Sequence, residues 1–434
     1  MRKMIRSLIF FTLLSSCISG KIKNTELDLQ TRLANSSELQ HYRKLEAETL
    51  SLNEKEEYFF KRLNDKFIYP EPKLVARERV NQEYGSFYLD ENILLLFYLS
   101  IKYQESGSEL YQIQAQKIIE AIYYFDELNG FDGFMPRYLV LKDDKLTIAS
   151  EHIKTNSYAL LALSYYAAYQ AFPSQKIKTL ITKHTEIIAK YFLDNQLNLV
   201  TPNEQNIKYA ALDHKFVVSR QLDGLSFFEA ALAIVKEDDL KSEISLLLAE
   251  HYRPKYKKKF KPLYGELFGF WQLASPSSNW LNLLKMYNLV KITDDETYKF
   301  MFARLYQKLA DEQNIFYDLL YLDIFPDKAV SKLTLIAGYL QSFPLDLSAA
   351  EIINSHRDDI KLQKFPKITK NKRWLSAKTA LPIYARPLMY HEWKRNQLRL
   401  NGNQGNYLNH VTFNGLDFLL ANALYQKALR ATLQ

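Results

Sequence analysis

The stretch from Thr155 to Phe172, TNSYALLALSYYAAYQAF, has a polar first turn and is then apolar on every side. A helix of that kind has no face to offer to water, so it must be enclosed by other elements. Stretches of similar character begin near Leu89, Gln221, Ser278, Lys328 and Tyr407, each next to a more amphipathic helical pattern. Such a series is the mark of stacked helical hairpins with the apolar members inside. The composition agrees: Tyr (30) and Phe (26) are frequent while Gly (12) and Pro (13) are scarce, which leaves few turn residues for an all-β fold. The expected fold class is all-α, and 434 residues with 47% hydrophobic content suffice for a large core.

The N-terminus carries Arg2, Lys3 and Arg6 and then the apolar run Ser7 to Leu14, too short to span a bilayer stably. It reads as an export signal over residues 1–16. Leu14-Ser15-Ser16-Cys17 resembles a bacterial lipobox, whose cysteine is acylated (with palmitate among the chains) and becomes the first mature residue. Cys17 is the one cysteine of the chain, so the mature domain has no disulfide and no thiolate metal site. Residue 18 is Ile rather than Asp, which favours the outer over the inner membrane. The expected partner on this side is the membrane, held through the N-terminal lipid. The formal charge of +8 falls to +5 once residues 1–16, with three basic and no acidic side chains, are removed. A balance that modest gives no argument for nucleic acid.

Residues 17–36 are polar and without periodicity, a lipidated tether. The remainder, 37–434, is expected to be one helical domain. Ser37 to Asp65 has the pattern of a first outer helix, and Tyr84 to Tyr103, with DENILLLFYLSIKY at its heart and Asp90 as its N-cap, that of the first inner one. Leu110 to Phe125 is its amphipathic partner. Between Asn129 and Ser150 two β-rich runs flank Lys142-Asp143-Asp144-Lys145, which predicts an inserted β-hairpin. Gln175 to Leu193 is expected outside, SFFEAALAIV inside, Asn279 to Val290 inside and Asp294 to Asp311 outside. The fifth inner helix is expected within Lys328 to Ser342, with Ser348 to Ile360 as its outer mate. Lys361 to Asn406 is irregular and basic, and the closing NYLNHVTFNGLDFLLANALYQKAL forms the sixth inner helix.

This pattern, with the pieces NGFDGFMPR and RQLDGLSFFEA, resembles the six-hairpin (α/α)6 toroid of many glycoside hydrolases, polysaccharide lyases and sugar epimerases. The resemblance covers about residues 37 to 434 and implies that one set of inner-helix ends meets in a shared funnel. Glycoside hydrolysis needs one protonated and one ionised carboxyl across the scissile bond. Glu91, Asp132, Glu151, Asp213 and Asp223 stand at or just before inner-helix starts, and Glu151 and Asp223 are favoured, with Asp223 one turn inside an otherwise apolar helix. A lyase needs instead a donor that neutralises the substrate carboxylate and a Tyr or His that removes the neighbouring proton. Asn156, His214, Arg220, Asn409 and His410 fit by type, and His410 resembles the Asn/His pairs of toroid lyases. Catalysis is therefore expected from Glu151, Asp223 and His410, and substrate binding from Asn156, His214, Arg220, Tyr390 and Trp393. The last two lie in the basic aromatic segment, where rings stack on sugars and guanidinium groups pair with anions.

The eight His residues form no HxxxH or HExxH motif, and neither a Gly-rich phosphate loop nor a G-x-S-x-G elbow occurs, so no metal or cofactor is expected. The leading expectation is an envelope lipoprotein that hydrolyses a polysaccharide or peptidoglycan-related glycan, one that carries negative charge being compatible with the basic segment. The alternatives are a polysaccharide lyase and a non-catalytic toroid that binds a glycan or a protein.

Overall fold

The computed structural model describes residues 50–80, 82–128, 135–150, 155–193, 218–254, 276–309, 315–326, 330–341 and 411–433, with the single positions 197, 343, 345 and 347. The signal segment, Cys17, the tether, Ser348 to Ile360 and the basic stretch from Lys361 to Asn406 lie outside the described residues.

Among the described residues, twelve α-helices alternate between two layers. The outer ones are α1 (Leu52–Lys66), α3 (Glu109–Glu127), α5 (Gln175–Tyr191), α7 (Asp238–Leu247), α9 (Glu296–Leu309) and α11 (Val330–Gln341). The inner ones are α2 (Leu89–Ser106), α4 (Thr155–Ala171), α6 (Val218–Ile234), α8 (Pro276–Thr293), α10 (Ile315–Ile324) and α12 (Leu416–Leu433). Each inner helix packs on the next, and α12 packs back on α2, which closes a ring of six. The outer helices cover this ring: α3 lies on α2, α5 against α4 and α6, α7 on α6, α9 against α8 and α10, and both α1 and α11 on α12. The chain is an all-α (α/α)6 toroid.

Local chemistry explains both layers. In α2 every residue from Glu91 to Ile101 is buried, so the helix is usable only inside. It stops at Gly107, whose φ of 64° supplies a left-handed cap with its N–H on the Tyr103 carbonyl. In α5 the buried set Ile177, Leu180, Ile181, His184, Thr185 and Ile188 follows the spacing of one helical face. The outer helix α1 opens with a reciprocal capping box: Glu54 N–H donates to Ser51 Oγ (3.3 Å) and Ser51 N–H to Glu54 Oε2 (2.7 Å).

Ring closure joins the two ends of the described chain. The rings of Phe59 (α1) and Phe418 (α12) lie 4.9 Å apart, with Phe343 5.5 and 5.1 Å from them. Gly415 precedes α12 with φ of 87°, and a Cβ there would come within 2.7 Å of the Phe59 ring. Gly415→Ala is therefore expected to cost roughly 1–3 kcal/mol through strain and overpacking. Urea denaturation checks this as a lower midpoint at unchanged slope.

Two expectations about elements are corrected. The fifth inner helix is Ile315–Ile324, and the helix expected inside, now Val330–Gln341, lies outside on α12. The short IFYDLLYLDI buries Ile315, Phe316, Tyr317, Leu319, Leu320 and Leu322, and its acids are answered by lysines, Asp318 by Lys332 and Asp323 by Lys291 and Lys427. Val330–Gln341, by contrast, leaves Thr334 and Gly338 exposed. The first outer helix begins at Leu52, behind its capping box, and residues 37–49 lie outside the described set.

The expected hairpin is formed by β4 (Tyr138–Lys142) and β5 (Lys145–Ser150), turning at Asp143 and Asp144 with φ of 48° and 58°. Two positive φ values in a two-residue turn match the twist of the strands. It is not an isolated insert, because β3 (Ser86–Tyr88) pairs antiparallel with β4, Tyr88 opposite Tyr138. A second sheet has the order β2 (Glu83–Tyr84), β1 (Glu78–Val80), β6 (Val411–Phe413), and thereby pairs the chain before α2 with the chain before α12.

Candidate active site at the ring mouth

The connections differ sharply between the two ends of the ring. Inner helices pass to outer ones through short links: 107–108, 172–174, 235–237, 294–295 and 325–329. Outer helices return to inner ones through 67–88, 128–154, 192–217, 253–275, 310–314 and 342–415. Apart from 310–314, the longer links, and with them the six strands of the described residues, thus belong to the end at which inner helices begin. Side-chain contacts show that neighbouring inner helices share a direction. Asp90 and Ile93 of α2 meet Ser157 and Ser164 of α4, while Glu91 and Tyr98 of α2 are joined, through Asn414 and through Glu56 with Asn422, to the start and middle of α12. A mouth is defined there, furnished by helix starts and connections, and loops on a rigid scaffold are where binding and catalytic groups concentrate.

On one side of this mouth α2, α4, α12 and both sheets bring polar groups together. Arg77 Nε donates to Glu91 Oε1 (2.7 Å), and Asn414 Nδ2 donates to Glu91 Oε2 (2.9 Å) and to the Ala76 carbonyl (3.1 Å). Asn414 Oδ1 in turn accepts from the Leu416 N–H at the head of α12 (2.9 Å). Arg77, Glu91 and Asn414 are all buried. Each Glu91 oxygen has its own donor, so this side chain is held in place and ties the residue before strand β1 and the segment leading into helix α12 to helix α2. Asn92 pins the same turn from behind, accepting from the Val75 N–H (3.1 Å) and donating to the Tyr88 carbonyl (3.0 Å).

Asp90 behaves differently. It does not cap α2, a position held by Tyr88; its Oδ1 accepts from Ser157 Oγ at the start of α4 (3.2 Å). The residue is partly exposed. Withdrawal of its carboxyl from water raises its pKa above the ordinary carboxylate value, and that effect outweighs the opposing pull of Arg77, Arg137 and the Ser157 hydroxyl. Beside it the Tyr88 and Tyr138 rings stack at 4.8 Å, with the Arg77 guanidinium 3.5 Å and the Arg137 guanidinium 5.8 Å from the Tyr88 centroid. Tyr88 is buried and Tyr138 partly exposed, so the assembly is chemically suited to give a proton to a ligand that lies against the Tyr138 ring.

Other polar clusters tie the wall. Asp223 of α6 and Lys285 of α8 form a buried ion pair, and one turn further Asn288 Nδ2 donates to Ser226 Oγ (2.8 Å). Towards the opposite end, Asp323 of α10 takes Lys291 of α8 (3.1 Å), Lys427 of α12 (2.8 Å) and the Tyr287 hydroxyl (2.6 Å). In the outer layer Asp126 of α3 is met by His184 Nε2 (3.1 Å) and Lys183 Nζ (2.5 Å) of α5. Among the described residues no group of three or more His, Cys, Asp and Glu side chains converges in a way that could hold a metal ion.

Of the residues singled out in the sequence, Asp223 and Glu91 are described with their side chains, Asp223 in its pair with Lys285 and Glu91 in its clamp. Asn156 and Arg220 lie within the first turn of α4 and of α6 respectively, and their side chains are outside the described set. Glu151, His214, Tyr390, Trp393 and His410 lie outside the described residues, as do Asp132, Asp213 and Asn409. Sequence reasoning missed Arg77, Arg137, Ser157 and Asn414. The available signal was the Asp90-Glu91 doublet at the head of an apolar helix, since two acids entering a buried helix require partners.

The class these features define is the six-hairpin (α/α)6 toroid with a polar mouth at the inner-helix starts. No protein-family model matches the chain, and no curated protein matches it. Among solved structures, a D-mannose isomerase is 11% identical over 87% of this chain and 97% of its own, with a TM-score of 0.46. A GH76 α-mannanase of Bacteroides thetaiotaomicron is 11% identical over 90% and 98%, with a TM-score of 0.45. A cellobiose 2-epimerase of Bacillus thermoamylovorans is 9% identical over 86% and 98%, with a TM-score of 0.44. These are likenesses of overall shape; the toroid assignment rests on the helix packing described above.

Proposed function

We propose that this chain is a bacterial envelope lipoprotein that hydrolyses a glycan at the mouth of its ring, with Asp90 as the proton donor. One observation carries the reading: an aspartate at the start of an inner helix, two residues after one member of a stacked tyrosine pair, whose carboxyl is held towards its protonated form by withdrawal from water and bonded to Ser157 of the next inner helix. Hydrolysis of a glycosidic bond needs that protonated acid, because the leaving oxygen must gain a proton as its bond to the anomeric carbon breaks. A water then bonds to the anomeric carbon and gives its own proton to a second, ionised carboxylate. Asp90 recovers its proton from solvent.

For that second carboxylate we select Glu151, which follows the last residue of β5 in the chain. Glu91 is unsuited, since Arg77 and Asn414 occupy both of its oxygens. Asp223, bound to Lys285 in the wall, we place as a structural anion, so the donor role passes to Asp90. His410 stays in the proposal as a catalytic group, and Asn156, His214, Arg220, Tyr390 and Trp393 as groups that contact substrate around the mouth. The test is reducing-end release from a panel of polysaccharides and peptidoglycan-derived glycans. Release from at least one of them, lost in Asp90→Asn, is expected; a panel left uncut sinks the reading.

The lipoprotein part rests on the LSSC sequence after an apolar run. Cys17→Ser is expected to block maturation or move the protein from the membrane to the soluble periplasmic fraction, scored by fractionation and immunoblot. Wild-type processing and sedimentation of that variant would remove the lipid anchor from the account.

A further inference from the structure

We infer that Ser157 is the positioning residue of the proton donor: its hydroxyl holds Oδ1 of Asp90 as an acceptor, so the proton to be transferred is carried on Oδ2; this rests on the reading of Asp90 as the acid. The serines of α2 and α4 differ in where their hydroxyls go. Ser100 and Ser106 of α2 donate one turn back in their own helix, to the carbonyls of Leu96 and Lys102 (both 2.7 Å). The two serines of α4 reach across to α2 instead. Ser164 Oγ donates to the Ile93 carbonyl (2.7 Å) and Ser157 Oγ to Asp90 Oδ1 (3.2 Å). Both are buried, and they stand two turns apart on one face of α4. Ser157 lies in the first turn, where no earlier turn of the helix offers a carbonyl, so the usual back-bond of a helical serine is not open to it.

Ser164 thus fixes the helix pair through a carbonyl, while Ser157 reaches a group that can titrate. A protonated carboxyl has one oxygen that donates and one that only accepts. With the proton on Oδ2, the Ser157 hydroxyl can donate to Oδ1 in both ionisation states; with the proton on Oδ1, that bond must turn round or break. The same bond restrains rotation of the carboxyl, and a proton donor acts only when held in line with its acceptor. Withdrawal from water raises the pKa of Asp90; Arg77, Arg137 and the Ser157 hydroxyl pull it down, and Glu91 pushes it up. Of these groups Ser157 is the one whose side chain is described as bonded to the carboxyl. Ser157→Ala leaves each of the charges in place, Glu151 of the proposed mechanism included, so the difference from wild type reports the hydroxyl. Its loss removes a donor to the ionised form, and the Asp90 proton should then be held to higher pH.

The test compares full-length wild type, Ser157→Ala, Ser157→Thr and Ser164→Ala in two measurements. The first is an NMR titration of protein labelled with heavy carbon at the aspartate carboxyls, the Asp90 signal being the one missing from Asp90→Asn. The second is the pH–rate profile on a glycan that the wild type cuts. In Ser157→Ala the Asp90 midpoint and the alkaline limb are both expected to rise by about one pH unit, the size of one hydrogen bond to a charged group. The value of kcat should fall about tenfold with KM within about threefold, and Ser157→Thr should recover most of both changes. Ser164→Ala loses a bond between the same two helices; it should lower the unfolding temperature and leave midpoint and profile as in wild type. Should Ser157→Ala fail to fold, Ser157→Cys, a weaker donor, carries the test with a smaller rise. An unmoved midpoint in Ser157→Ala, or an equal rise in Ser164→Ala, overturns the inference. A moved midpoint with every glycan uncut would sink the hydrolytic reading and leave the Ser157 assignment standing, whereas cleavage with an unmoved midpoint does the reverse.

Discussion

Asp90→Asn is expected to lower kcat/KM for the cleaved glycan by about 10²–10⁴-fold, the contribution of a positioned general acid. The amide keeps an oxygen that can accept from Ser157 Oγ but has no proton to give to a leaving oxygen. The fold should not suffer. The Asp90 carboxyl has a raised pKa in the folded protein, so its ionisation counts against folding as pH rises above the ordinary carboxylate range. A neutral amide removes that penalty, and the variant should unfold at or above the wild-type temperature at neutral pH. Loss of rate with no loss of stability separates a proton donor from a structural residue. The alkaline limb of the wild-type pH–rate profile should also lie above the value of an ordinary aspartate and vanish in the residual activity of the variant.

The second large effect concerns the opposite end of the ring. The side chain of Asp323 in α10 is only 5% exposed, and although its withdrawal from water pushes its pKa up, Lys427, Lys291 and the Tyr287 hydroxyl together hold it down at about 2. Against an unfolded value near 4, this is worth about 2–3 kcal/mol of folding free energy. The sign follows from the depression: the contribution is complete above the unfolded pKa and is lost as pH falls through the folded one. Asp323→Asn should therefore cost about 2–3 kcal/mol at neutral pH. The gap between variant and wild type should close as urea unfolding is repeated from pH 5 towards pH 2. A gap that stays constant with pH would show that packing, not the ion cluster, joins α8, α10 and α12.

The layer pattern was legible because all-round apolar helices such as Thr155–Ala171 and Leu89–Ser106 have only one place to go. Helix α10 escaped because its ten residues are short for a helical period and carry two acids, whose lysine partners on α8, α11 and α12 come from distant sequence. Val330–Gln341 looked internal because small and apolar residues dominate it, yet its exposed Thr334 and Gly338 mark an outer face. The β-hairpin was visible in its Asp143-Asp144 turn, while its third strand was not, since Ser86–Tyr88 is too short to announce itself.

At the site the sequence identified the carboxyls at inner-helix starts but could not sort them. Asp90 and Glu91 are neighbours of like chemistry, and what divides their roles is three-dimensional. Arg77 and Asn414, next to strands β1 and β6 that meet only when the ring closes, occupy Glu91, while Ser157 alone donates to Asp90 among the hydrogen bonds described for its side chain. Asp223 stood out in the sequence because a carboxyl inside an apolar helix must be partnered, and the sequence does not name the partner, Lys285.

The central claim is hydrolysis at the mouth, and the most direct measurement is product analysis after digestion in heavy-oxygen water. Full-length protein is incubated with the panel of polysaccharides and peptidoglycan-derived glycans, and the fragments are read by mass spectrometry. The account predicts saturated fragments with one heavy oxygen at each new reducing end, absent with Asp90→Asn. Unsaturated, ultraviolet-absorbing ends without the label would identify a lyase, and tight binding with no fragments a glycan-binding toroid; either result contradicts the account.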